Sequence, residues 1–148
     1  GEFNVPFGRY KKPYFPRDEL LWFAEKAQNA IFVTQGYSET LLNAPVGSVV
    51  YCDPPYAPLS ETANFTAYHT NSFNAKEQQN LALLAHKLSS EREITVLISN
   101  HETPLTREWY HQAQLHIVKV RRTISRNILN RAKVNELLAL YAGTSKTL

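Results

Sequence analysis

Asp53-Pro54-Pro55-Tyr56 follows directly on the apolar run Val49-Val50-Tyr51-Cys52. A Pro–Pro pair has no N–H to donate and fixes φ, so its carbonyls stand as rigid acceptors. Asp53 places a carboxylate beside them, and Tyr56 adds a flat face for stacking. Two acceptors converging beside a stacking face suit an amino group on a planar ring, and the exocyclic amine of a nucleobase is one such group. Its lone pair is conjugated with the ring and is a poor nucleophile. Hydrogen bonds from both amino hydrogens concentrate density on the nitrogen and favour attack on an electrophile held in line. A duplex hides that atom, so the base would have to be flipped out and stacked, here on Tyr56. The same four residues equally suit a proline-rich turn that ends a strand.

Other chemistry finds less support. The single Cys52 excludes an internal disulfide framework and a thiolate zinc cluster. The five histidines, at 69, 86, 101, 111 and 116, read as surface or core residues. His101-Glu102 opens like a zincin motif, but Leu105 stands where the second ligand is needed. No metal is therefore expected. Asn64-Phe65-Thr66 matches a glycosylation sequon and is read as a chance match. No apolar run approaches the ~20 residues that span a bilayer, so no membrane partner is expected.

Charge is distributed unevenly. The net charge is +3 over 148 residues. Residues 1–16 and 119–133 together carry +8, and the other 117 residues carry −5. A mildly acidic body with two basic patches is the footprint of a protein that meets a polyanion, although a single charge run is more often a solvated face. The first patch also interleaves Phe3, Phe7, Tyr10, Tyr14 and Phe15 with Arg9, Lys11 and Lys12. Cations hold phosphates while aromatic faces stack on bases, so this combination suits nucleic acid.

The elements that must position these residues follow from periodicity and punctuation. Pro6, Gly8, Pro13 and Pro16 break residues 1–16 into a hairpin or irregular loop. Asp18 can cap a helix running to about Gln28, and Ala30–Thr34 reads as a short strand. Tyr37–Asn43 can make one or two helical turns, and Val49–Cys52 suits a buried parallel strand. Residues 57–74 read as a long loop. Helix is expected over Ala75–Ser89 with Asn74 as its cap, then strand over Ile94–Asn100. Thr106–Ala113 is a short helix, Leu115–Ile124 a strand, and Val134–Tyr141 either helix or strand. This order implies an α/β fold: an open sheet with helices on both faces, binding its ligand beyond the carboxyl ends of the strands. The 43% hydrophobic composition suits one domain with a real core. There is no Met, and the chain opens on Gly1-Glu2-Phe3 with structured-looking sequence. An upstream portion is expected.

The Asp53-Pro54-Pro55-Tyr56 segment after an apolar strand resembles the signature of amino-methyltransferases acting on DNA. Longer stretches resemble the bacterial Dam adenine methyltransferases that modify GATC. They are residues 3–12, Val50–Leu59, Asn64–Tyr68, Leu97–His101, Leu105–Tyr110 and Val118–Arg122. The resemblance covers essentially the whole chain and implies the carboxy-terminal part of a Rossmann-like methyltransferase. It implies S-adenosylmethionine as co-substrate, double-stranded DNA as partner, and direct methyl transfer to adenine N6 with no covalent intermediate and no metal. Asp53 would bind the target amine next to the methionine part of S-adenosylmethionine. Pro54 would offer its carbonyl to the same amine, with Pro55 beside it, and Tyr56 would stack on the flipped adenine. Residues 1–16 would be the remnant of a target-recognition hairpin, with Asn4, Arg9 and Lys11 near the DNA backbone, Pro6 near a base edge, Tyr10 wedged into the stack and Lys12 also binding DNA. Residues 17–148 would be the carboxy-terminal part of the catalytic domain. The resemblance also makes 134–141 an antiparallel final strand. It implies a monomeric, cytoplasmic, nucleoid-associated bacterial protein.

The family's Trp-x-Gly-Gly-Lys and Phe-x-Gly-x-Gly segments are absent here, and Asn127-Ile128-Leu129-Asn130 stands where the family has a glycine-rich turn. The chain is thus expected to lack the amino-terminal half of its own domain and to be an incomplete enzyme. The alternative is a DNA-binding fragment that catalyses nothing.

Overall fold

A computed structural model of the chain describes residues 14–59, 73–121 and 133–143. The expected DNA-contacting residues Asn4, Pro6, Arg9, Tyr10, Lys11 and Lys12 lie outside the described residues, as do the Asn64-Phe65-Thr66 sequon and the Asn127–Asn130 segment. The chain divides into two compact units, residues 1–34 and 35–148.

In the first unit, helix α1 spans Arg17–Ala27. Asp18 does not cap it; Pro16 holds the cap position, and Asp18 and Glu19 lie in the first turn, where the exposed N–H groups favour negative charge. The Tyr14 hydroxyl donates to Glu19 Oε1 at 2.6 Å, which holds the Glu19 carboxyl below its ordinary range. The strand expected over Ala30–Thr34 does not form. An isolated run of β-formers has no ladder to satisfy its backbone groups, and Ile31 stands 92% exposed.

The second unit runs α2 (Tyr37–Leu42), β1 (Val49–Cys52), α3 (Ala75–Arg92), β2 (Thr95–His101), α4 (Pro104–Trp109), β3 (Gln114–Arg121) and β4 (Lys133–Tyr141). The strands form one open sheet in the order β1-β2-β4-β3. β1 and β2 are parallel, with Cys52 opposite Ile98, and α3 is their crossover. β4 lies antiparallel between β2 and β3.

Residues 133–141 therefore settle as strand, against the helical propensity of Glu136–Leu140. The segment is hydrogen-bonded along both edges and buries Leu137, Ala139 and Tyr141, and this tertiary gain outweighs a weak local preference. Helix α4 starts two residues before the expected Thr106 and stops earlier. Thr103 and Thr106 form a reciprocal capping box around Pro104 at the first helical position, where a missing N–H costs nothing.

α3 covers the face of the sheet that carries Val96, Ile98, Leu137 and Ala139, and it contributes Leu81, Ala85 and Leu88 to the core. α2 and α4 pack on α3. The opposite face keeps Val49, Tyr51 and Val118 exposed, so helical cover is seen on one face of this unit. No helix among the described residues is long and apolar enough to cross a membrane. Asn74 caps α3 by accepting from the Lys76 and Glu77 N–H groups at 2.9 and 3.1 Å. At its other end, Glu93 turns the chain in the left-handed region, at φ 56°.

Gly143 passes so close to this turn that a Cβ there would meet the Glu93 carbonyl carbon and oxygen at 2.6 Å. Gly143→Ala is expected to destabilise the chain by about 1–3 kcal/mol. A urea-unfolding midpoint equal to that of the parent would show that this close approach does not matter.

Candidate active site

β1 ends at the parallel junction with β2, so residues 53–57 emerge at the carboxyl edge of the sheet, where open α/β sheets bind their ligands. Asp53 and Pro55 are exposed, Pro54 and Tyr56 half-buried, and Ala57 fully buried. The loop is thus anchored at its far end and open at the end that carries the carboxylate.

The last three residues of β2 hold this loop from both sides. Alternate strand residues point to opposite faces. On one face, the Ser99 hydroxyl donates to Asp53 Oδ1 at 3.0 Å and itself accepts from the Tyr51 hydroxyl at 3.0 Å. On the other, the Asn100 side-chain oxygen accepts the Ala57 N–H at 2.8 Å. The His101 ring Nδ1 meets the Ala57 carbonyl at 2.6 Å, and its ring lies edge-to-face with Tyr56, centroids 4.9 Å apart. From α3, the Gln78 side-chain amide donates to the Pro55 carbonyl at 2.7 Å. Among the described residues the Pro54 carbonyl takes no hydrogen bond. Burial raises the Tyr56 phenol above its ordinary value and keeps it neutral.

Beside the loop lies a cavity of about 360 Å³ lined by Asp53, Pro54 and Pro55 together with Tyr37, Phe73 and Leu41. That volume falls in the range of small-molecule sites. Tyr37 and Phe73 meet edge-to-face, ring centroids 5.5 Å apart, and the Tyr37 hydroxyl donates to Glu77 Oε2 at 2.8 Å. Desolvation, then the Glu77 carboxylate, push the Tyr37 phenol up to about 12. Burial pushes the Cys52 thiol, also on the wall, up to about 11, which leaves it an inert neutral group. The cavity is therefore apolar and aromatic along its walls, with one carboxylate at its rim. Among the described residues no group of three or more His, Cys, Asp or Glu is placed to share a metal ion.

Three of the four residues singled out from sequence, Asp53, Pro54 and Pro55, share this cavity. Tyr56 stands apart from its lining, packed on His101, so the stacking face and the cavity flank the loop on different sides. Sequence reasoning missed Tyr37, Phe73, Gln78, Ser99, Asn100 and Tyr110. A signal existed for two of them. Gln78 occupies a core-facing position of α3 in step with Leu81, Ala85 and Leu88, and Asn100 is a fully buried amide near the end of β2. A polar side chain in such a place needs a partner.

The chain matches the family model of the D12 class N6 adenine-specific DNA methyltransferases over residues 1–124. It is 71% identical over 141 residues to a DNA adenine methylase of Serratia marcescens, covering 95% of this chain and 52% of that protein. It is 67% identical to a DNA adenine methylase of Escherichia coli K12 and 60% identical to one of Vibrio cholerae O1, each over 95% of this chain and 50% and 51% of those proteins. The chain spans about half the length of the curated relatives it matches. With a DPPY loop at the carboxyl edge of a mixed sheet, it belongs to the D12 class N6 adenine-specific DNA methyltransferase family.

Proposed function

We propose that this chain supplies the target-base loop and part of the cofactor cavity of an enzyme that methylates adenine N6 in duplex DNA at GATC. The observation that carries this reading is the shared placement of Asp53, Pro54 and Pro55 on one aromatic-walled cavity at the sheet edge. S-adenosylmethionine fits such a cavity by chemistry: Tyr37 and Phe73 suit its adenosine part, and the Asp53 carboxylate suits its cationic methionine end. When bound, it supplies a methyl group made electrophilic by the positive sulfur.

The protein's share of the reaction is alignment and electrostatics. Ser99 occupies Asp53 Oδ1, leaving Oδ2 to accept one hydrogen of the target amine. The Pro54 carbonyl accepts the other. Both bonds pull density onto N6 and turn its lone pair toward the cavity. Tyr56, braced by His101, offers a ring on which the flipped adenine stacks. Residues of 1–16, namely the basic Arg9, Lys11 and Lys12, the aromatic Tyr10, and Asn4 and Pro6 beside them, hold the DNA, so affinity and chemistry reside in different parts of the chain. The amino-terminal half that the relatives possess completes the cofactor site. The 148 residues alone are then an incomplete enzyme, and the completed protein acts as a monomer on cytoplasmic bacterial DNA.

The test is protection of GATC-containing DNA from a methylation-sensitive nuclease, with S-adenosylmethionine present. The chain alone is expected to give none. A chimera carrying the amino-terminal half of the Serratia marcescens relative ahead of this chain is expected to protect GATC and leave a scrambled site cut. Protection by the chain alone would overturn the incomplete-enzyme reading, and an inactive chimera would overturn the assignment of the site. Salt-sensitive DNA retention without methylation by that chimera would mark a binding module instead.

In the chimera, Asp53→Ala is expected to lower kcat by at least ~10²-fold while leaving most DNA affinity, because phosphate contacts dominate binding. Near-parental turnover would remove Asp53 from the site. Tyr56→Ala is expected to weaken capture of the flipped base by roughly 1–3 kcal/mol. An undiminished signal from a fluorescent base analogue at the target position would contradict that role.

A further inference from the structure

Under the loop lies a closed set of three buried polar side chains that the methyl-transfer reading does not use. Gln78, Asn100 and Tyr110 come from α3, β2 and the turn after α4, and all are 0% exposed. Tyr110 donates its hydroxyl to Gln78 Oε1 at 2.6 Å, and Asn100 Nδ2 donates to that oxygen at 3.2 Å and to the Tyr110 oxygen at 3.0 Å. Gln78 Oε1 thus has two donors, and Asn100 Oδ1 has two more, the Ala57 and His101 N–H groups. The network dictates the orientation of both amides, because either one reversed would set donors against donors. The Gln78 amide nitrogen, which neither of the other two side chains engages, donates to the Pro55 carbonyl at 2.7 Å.

We propose that Gln78, Asn100 and Tyr110 form a positioning unit for the DPPY loop. By engaging the Pro55 carbonyl and the Ala57 N–H, they leave the Pro54 carbonyl as the backbone acceptor that meets the target amine. The inference rests on the methyl-transfer reading above. None of the three touches substrate. Their effect passes through the two peptide groups they hold, on either side of Tyr56. Two prolines remove the loop's own donors, so its orientation depends on groups supplied from α3 and β2. Misplacing a backbone acceptor by about an ångström is enough to lose much of an alignment-driven rate.

The decisive feature is that Gln78 must donate to one carbonyl and accept from two donors. Gln78→Glu retains the size and the acceptor, but it presents the Pro55 carbonyl with a lone pair when ionised and with an O–H when protonated. Burial raises a carboxyl's pKa, in deep sites by up to about 3–5 units, so this switch falls in the working pH range. The other titratable groups around Gln78 are shared with the parent protein. Burial first of all pushes Tyr110 up to about 12, and burial pushes Cys52, which faces it, up to about 11. Glu77 on α3 is engaged by Tyr37, and His101 on β2 by the Ala57 carbonyl. All four cancel in a variant-to-parent ratio.

The experiment measures kcat and the KM for DNA from pH 6 to 9 in the chimera, with Gln78→Leu, Gln78→Glu and Tyr110→Phe, each checked for folding by its thermal melt. Gln78→Leu is expected to lower kcat roughly 10- to 100-fold at every pH, the usual consequence of a buried acceptor left unpaired, with KM changed less than about threefold. Gln78→Glu is expected to approach the parent at the acidic end and fall away as pH rises. Tyr110→Phe, which keeps the shape and removes one hydroxyl, is expected to lose kcat several-fold and to keep KM. If Gln78→Leu does not fold, the other two variants decide. A flat Gln78→Glu ratio, or losses confined to KM or to thermal stability, would overturn the positioning role. An inactive parent chimera would instead defeat the methyl-transfer reading itself.

Discussion

Two consecutive prolines cannot donate a hydrogen bond, so the loop that carries Asp53 has to be held by its neighbours. Much of the second unit's polar structure answers that constraint. β2 ends in Ser99, Asn100 and His101 instead of continuing its apolar run, and each of the three bonds to the loop. α3 places Gln78 at a core-facing position within reach of the Pro55 carbonyl. The turn after α4 returns Tyr110 beneath both amides. An exposed carboxylate and a proline carbonyl that takes no hydrogen bond among the described residues can be presented rigidly because Ser99, Asn100, His101 and Gln78 hold the rest of the loop.

The energetics of this arrangement are asymmetric. Each hydrogen bond in the buried set contributes only about 1 kcal/mol net, whereas a buried partner left unpaired costs about 1–3 kcal/mol. The network is therefore a modest source of stability and a strong source of specificity: alternative loop positions leave amide and hydroxyl groups stranded in the core that Leu81, Ile98 and Leu137 complete. The parallel pairing of β1 with β2 sets the register, since Cys52 opposite Ile98 places the start of the loop beside the strand end that clasps it. β4, antiparallel on the other edge of β2, makes β2 an interior strand of the sheet whose last four residues, Ile98–His101, are all buried.

Much of this was legible in the sequence. The periodicity of 75–89 and the buried strand at 94–100 correspond to observed elements, because in each the local pattern and the tertiary environment agree. The apolar run before Asp53 forms the expected parallel strand but lies at the sheet edge with Val49 and Tyr51 exposed, so the expected burial is not seen in this chain. Ala30–Thr34 failed because strand propensity without a partner has nothing to pair with. Val134–Tyr141 could not be decided locally, since its helical residues become strand only between two neighbours. In the site, the chemistry of residues 53–56 could be read from residue type alone. The clasp could not: its members are separated in sequence by 22 and 10 residues and converge only through the sheet topology. Tyr37 and Phe73 were hidden for the same reason, being ordinary aromatics until α2 and the approach to α3 bring them together.

The proposed chemistry requires Asp53 and Pro54 to present acceptors to an adenine amine and direct its lone pair at a methyl donor. Nucleoside mass spectrometry after reaction with S-adenosylmethionine bearing a trideuterated methyl group tests it most directly, using duplex DNA and the chimera that completes the relatives' length. The label is expected intact, all three deuterons present, on N6 of the adenine within GATC. Label on a cytosine amine, on a ring nitrogen, or on no base at all would contradict it.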